Sequence, residues 1–187
     1  AEVISGFVLM LYFILEGDRA YKSFLSFVPA GRRERLDGTL QRASVLMGQW
    51  LLGQLSLMVI FGAVSTIAFL LLHVRYAYAL GVLTGLFNIV PVLGAAITLV
   101  LTLVVAAVDS WGRVLGVAIF YFVYLQIENS FLTPRIMRTR VGLPALAILV
   151  ALLLGFALAG VLGALVAVPT AVLVEVLLEE YLVRKDA

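Results

Sequence analysis

Glu128 is a carboxylate in a costly place. It follows 14 residues without formal charge, 114–127, and Gln126 and Asn129 flank it. An ionisable side chain at membrane depth is expensive and by default marks an ion or solute path. Arg135, two helical turns on, and Arg138 are its candidate partners. Pro134 breaks the helix between them and frees backbone carbonyls. The plainer alternative is an interfacial cap or ion pair at a helix end. Asn88 is the second residue with chemistry to offer, because its amide holds donors and acceptors three residues before Pro91. Half-helix ends beside it would present unpaired N–H and C=O groups of opposite polarity. Many neutral hydrogen bonds and little fixed charge suit a small polyhydroxylated molecule. Otherwise Asn88 caps its own turn. Gly81, Gly85, Gly155, Gly160 and Gly163 serve close helix packing more often than ligand contact. Gln54, within an apolar span, reads as a hydrogen bond between helices.

The elements that must hold these residues belong to a membrane. Of 187 residues, 64% are apolar and 13% charged, with a mean hydropathy of +1.15. An average soluble chain is about half apolar and about a quarter charged. There is no Cys, so disulfides and thiolate metal sites are excluded. A single His, His73, rules out His-rich metal centres. The sequence has no GxxxxGK[ST], no HExxH and no GxSxG with a His partner. It reads as no enzyme, with no cofactor and no metal. The net charge of +2 comes from basic residues at the ends of apolar runs, which serves membrane topology rather than nucleic acid.

The apolar runs divide the chain into three regions. Residues 1–15 hold a charge-free run of 13 residues, 3–15, too few for the roughly 20 of a crossing. With no initiator Met and no basic leader, they read as a truncated membrane helix of a longer protein. Residues 16–49 form a polar, cytoplasmic-side segment. There Leu36, Leu40, Ala43 and Met47 recur at helical spacing among Arg32, Arg33, Arg35 and Arg42. This pattern predicts a basic amphipathic helix, started by Pro29 and Gly31, at the membrane surface or packed on the protein. Residues 50–187 are the transmembrane region, with full spans at 50–72 and about 111–133.

Two runs, 76–108 and 141–174, have 33 and 34 residues. That is long for one crossing and short for two. Breakers fall where a turn would be: Asn88 and Pro91 in the first, Gly155, Gly160, Gly163 and Pro169 in the second. The expected fold is all-α and integral to the membrane, with re-entrant helical hairpins at about 77–108 and 142–174. One long kinked helix in each place is the alternative. Charge counting favours hairpins, which leave 11 of 13 basic residues on one side, against 9 if both runs span. A faint repeat agrees: Gly81-Val82-Leu83 leads to Val90-Pro91, and Gly160-Val161-Leu162 to Val168-Pro169. Paired broken helices point to a transporter site near the midplane.

At these residues a family becomes recognisable. The stretch 79–94, ALGVLTGLFNIVPVLG, resembles the Gly-rich, Pro-broken segment of the autoinducer-2 exporter (AI-2E) family. The stretch 127–137, IENSFLTPRIM, resembles its polar helix end, and 155–169, GFALAGVLGALVAVP, its closing segment. FILEGD at 13–18, followed by Pro29, is similar to an earlier helix exit. Two departures are an aromatic and second proline missing after Pro91, and a His missing before Pro144. The resemblance implies a multispanning, homo-oligomeric carrier, pentameric and elevator-like, in the bacterial inner membrane. Family members include exporters of the quorum-sensing signal autoinducer-2, and others that resemble sodium(lithium)/proton antiporters. The expected partners are a small polar solute, the lipid bilayer and sister subunits. The expected solute-binding residues are Asn88, Pro91, Gln126, Glu128, Asn129, Pro134, Arg135, Gly155, Gly160 and Pro169.

Overall fold

A computed structural model describes residues 15–136 and 145–183. The expected helix at 1–15, the candidate partner Arg138 and the start of the second hairpin at 142–144 fall outside the described residues, save for Leu15. Every regular element among the described residues is helical. After α1 (15–26) come α2 (Ala30–Leu71), α3 (Ala77–Phe87), α4 (Leu93–Asp109) and α5 (Trp111–Ile127). A π-helical turn (Glu128–Leu132) leads into the short α6 (Thr133–Ile136). The last elements are α7 (Ala145–Leu178) and a second π turn (Glu179–Val183). Three segments are long and apolar enough to cross a membrane: Arg33–Leu71, Trp111–Ile136 and Leu162–Tyr181. This is an all-helical membrane protein.

The helix expected to start at Pro29 does begin at Ala30, but it does not stop where the charges do. Residues 43–49 contain no proline, so the basic stretch and the apolar span form one helix of 42 residues. The chain separates into two compact units. The smaller holds residues up to 44 and from 176 on. In it, the basic face of α2 is matched by acid from the end of the chain. Arg35 pairs with Glu180 at 2.9 Å and lies over the Tyr181 ring, and Arg42 pairs with Glu179 at 2.9 Å. Arg33 donates to the carbonyls of Ser26 and Val28 in the turn after α1. The Tyr21 hydroxyl donates to Asp37, whose charge holds that proton and pushes the phenol up to about 12.

The larger unit, residues 45–175, contains the broken segments. Its core is aromatic: Phe61 of α2 stacks on Tyr124 with centroids 4.3 Å apart and meets Tyr121 edge-on, while Phe69 meets Phe120. Close approach of α2 to α3 depends on glycine. A Cβ at Gly85 would lie 2.7 Å from the Met58 carbonyl oxygen. The run 76–108 breaks where Pro91 predicts, between α3 and α4. Its two ends meet: Asp109 pairs with Arg75 at 3.0 Å and with Arg113 at 2.5 Å. The segment therefore returns to the end from which it started. At 11 residues α3 is about 16 Å long, roughly half a bilayer core.

The second run also folds back. Ala159 and Gly160 leave helical geometry, Gly160 with φ 58° and ψ −140°, a conformation that needs glycine. In a straight helix residues 155 and 167 would be about 18 Å apart. Here a Cβ at Gly155 would lie 2.9 Å from the Ala167 Cβ and would collide with the Gly163 carbonyl. Of the four arms only Leu146–Gly160 has the 12–15 residues expected of a half-helix. The arms are 11 and 17 residues in the first hairpin, and Leu146–Gly160 and Leu162–Tyr181 in the second. The longer second arm is itself long enough to span. Val90, at the first break, belongs to one apolar cluster with Leu152, Ala164, Ala167 and Val168 from both arms of the second.

Candidate functional site

Tyr121, Tyr124 and Glu128 follow at spacings of three and four residues, so they share one face at the end of α5. Tyr121 meets the Thr84 hydroxyl of α3 at 3.1 Å. One turn on, the Tyr124 hydroxyl and the Asn88 side-chain amide face the Glu128 carboxyl closely enough to interact with it. Neither makes a well-formed bond to it. Tyr124 Oη, Asn88 Nδ2 and Glu128 Oε2 are all buried, and none has a hydrogen-bond partner among the described residues. A buried polar group without a partner costs roughly 1–3 kcal/mol, so three converging on one spot form a site that is incomplete by itself. The set offers a carboxylate acceptor, a phenol that can donate or accept, and an amide.

The backbone around these groups is irregular on both sides. At the first break Val92 has φ 66° and ψ −55°, and Leu93 N–H reaches the Pro91 carbonyl at 2.7 Å. This is the tight, strained γ-turn, rarely seen and unusual for a β-branched residue. Asn88 closes α3, and its carbonyl accepts a 2.5 Å hydrogen bond from Gln54 Nε2 on α2. On the other side α5 widens into its π turn, where Thr133 N–H bonds the Glu128 carbonyl. Pro134 has no N–H with which to restore the α-helical pattern. Such π turns and strained residues concentrate at functional sites.

The sequence-predicted residues divide accordingly. Asn88 and Glu128 come together. Pro91 is half-buried at the break, next to Val90. Gln126, Asn129, Pro134 and Arg135 are exposed, and no ion pair among the described residues joins Arg135 to Glu128. Gly155 packs on Gly163, Gly160 forms the second bend, and Pro169 sits half-buried inside the longer arm. Sequence reasoning missed Tyr124, one turn before Glu128 on the same face, and placed Gln54 only between helices. The described residues contain no cluster of three His, Asp or Glu that could hold a metal.

Broken helices meeting beside a half-buried carboxylate at the end of a long apolar helix define the class: a helical membrane protein built as transporters are. The comparisons agree. The chain matches the AI-2E family transporters over residues 1–183, and it belongs to that family. It is 29% identical over 174 residues to "Putative transport protein YrrI" of Bacillus subtilis, covering 93% of this chain and 49% of that protein. It is 28% identical over 176 residues to "Putative transport protein sll0063" of Synechocystis, covering 93% and 43%. To "AI-2 transport protein TqsA" of Escherichia coli it is 27% identical over 142 residues, covering 75% and 41%. The chain thus spans about half the length of the curated relatives it matches. These relatives are named as transport proteins, not as enzymes.

Proposed function

We propose that this chain is the hairpin-bearing part of a multi-pass carrier in the bacterial inner membrane, exporting a small polar solute such as autoinducer-2. The observation that carries the reading is the convergence of Asn88 Nδ2, Tyr124 Oη and Glu128 Oε2, buried atoms without a well-formed hydrogen bond among the described residues. A solute with several hydroxyls supplies the missing donors and acceptors at once. The name of the TqsA relative supports autoinducer-2, and with it a role in quorum sensing. Both folded-back segments are read as re-entrant, entering from opposite faces. Movement of the hairpins as an elevator, within a homo-oligomer, would carry the site across. Gln126, Asn129, Pro134 and Arg135 would border the path on the α5 side, and Gly155, Gly160 and Pro169 would shape the second hairpin.

One observation favours a second reading, sodium(lithium)/proton antiport. Glu128 is a half-buried carboxylate whose Oε2 is buried with no cationic partner among the described residues, which suits a carried proton or cation. Full-length protein in proteoliposomes separates the two, with labelled autoinducer-2 flux measured beside sodium-driven pH change. Glu128→Gln keeps the size and hydrogen-bonding capacity of the side chain and removes its charge. Under solute export, labelled flux falls by roughly tenfold, the worth of one charged hydrogen bond. Under antiport, sodium-driven pH change is abolished at every pH. Wild-type flux in both assays from acid to alkaline pH would remove Glu128 from the mechanism.

A further inference from the structure

Gln54 lies in the middle of α2 and is 2% exposed. Its amide reaches another helix, Nε2 donating to the Asn88 carbonyl at 2.5 Å. That carbonyl ends α3. A helix leaves its last carbonyls without internal partners, and beyond Asn88 the chain turns through a strained bend instead of continuing. The neighbouring carbonyls find partners inside the bend: Leu86 accepts from Ile89 N–H, Phe87 from Val90 N–H, and Val90 from Gly94 N–H. The Asn88 carbonyl accepts from α2. With its backbone held this way, Asn88 turns its side-chain amide to Glu128, close but short of a well-formed bond. Gln54 donates to the Asn88 backbone and not to the Glu128 carboxyl. Its effect passes through Asn88.

We infer that Gln54 is a positioning residue of the Asn88–Tyr124–Glu128 site, fixing the end of α3 so that the Asn88 amide faces the carboxylate. The inference rests on reading those three groups as the solute site. Its consequence is local: without the Gln54 donor, the carbonyl must find another partner, the bend relaxes, and the Asn88 amide turns from Glu128.

Dicyclohexylcarbodiimide tests this without a transport assay. The reagent adds to a protonated carboxyl in an apolar setting, so its rate at Glu128 reports how closely dipoles such as the Asn88 amide face the carboxylate. The full-length protein in native membranes is labelled, and modification at Glu128 is followed by peptide mass spectrometry relative to wild type at the same pH. Gln54→Leu deletes the donor at similar volume and should speed labelling roughly fivefold, a modest part of a charge-assisted bond. Gln54→Glu keeps the shape. In acid its protonated carboxyl donates to the Asn88 carbonyl and the rate should equal that of wild type; in alkali the ionised form should behave as Gln54→Leu does. Because both states come from one folded sample, the pH series stands even if Gln54→Leu fails to fold. Two results would overturn the inference. One is wild-type labelling in both variants while Asn88→Ala speeds it. The other is equal acceleration by both variants at every pH, which marks a packing role alone. A carrier that moves neither autoinducer-2 nor sodium would fail the proposed function and leave this result intact.

Discussion

At Gly94 the chain leaves no room for a side chain. A Cβ there would collide with the Phe87 carbonyl and lie 2.8 Å from the Asn88 nitrogen, so α4 starts against the end of α3 only because the residue is glycine. Backbone cannot swing aside as a side chain can. Gly94→Ala should therefore destabilise the protein by about 1–3 kcal/mol, the range for overpacking. Gly112, in the first turn of α5, has open space around it, with the Ser110 hydroxyl 4.0 Å away. Gly112→Ala should be neutral or stabilising by roughly 0.5–1 kcal/mol, since alanine restricts the unfolded chain. Thermal unfolding in detergent checks the pair, and equal shifts would mean that the bend is not held by this contact. Asn88 and Glu128 were legible in the sequence because polar residues inside apolar runs are conspicuous. Tyr124 and Gln54 were not, since each acquires its role from a partner on another helix. The exposed Gln126 and Asn129 show the limit of adjacency: neighbours in sequence point to different sides of a helix.

Among the helices, Pro91 and Gly160 marked both breaks, because one lacks an N–H and the other admits a positive φ that side chains resist. Sequence could not set the arm lengths. The continuation of α2 from Ala30 through the apolar span depends on there being no breaker between Arg42 and Trp50, and charge patterning obscured it. The ion cluster at Arg75, Asp109 and Arg113 joins the start of α3, the end of α4 and the start of α5. If the first hairpin is re-entrant, these positions share one face of the membrane, and the end of α5 lies at the other. Single cysteines at His73 and Ser110 should thus react with an impermeant maleimide from the same face, and one at Arg135 from the opposite face. All three sites are exposed, and no native Cys in this sequence competes. Labelling of His73 and Ser110 from opposite faces would convert residues 76–108 into a crossing.

The molecule as a whole presents an apolar surface that water cannot cover. Val59 on α2, Val104 on α4 and Phe122 on α5 are 71%, 62% and 70% exposed. Lipid can cover such residues, and so can sister subunits. Within a bilayer the hydrophobic effect does not distinguish the two, and close packing and polar contacts decide. A homo-oligomer would place some of these side chains at subunit contacts and leave others to lipid. Single cysteines at Val59, Val104 and Phe122 in the full-length protein separate the cases under mild oxidation in native membranes. A position at a subunit contact should give a disulfide-linked dimer in high yield, while a lipid-facing one should remain monomeric. Bifunctional amine crosslinking should then give a ladder ending at five chains, the order that the family resemblance implies. Lysine is scarce in this sequence, with Lys22 and Lys185 alone, so a reagent of long reach is used. If no cysteine crosslinks, and native mass measurement from lipid nanodiscs finds one chain that still transports, the site belongs to a monomer. The open ends of its two hairpins would then have to be covered from within the same chain.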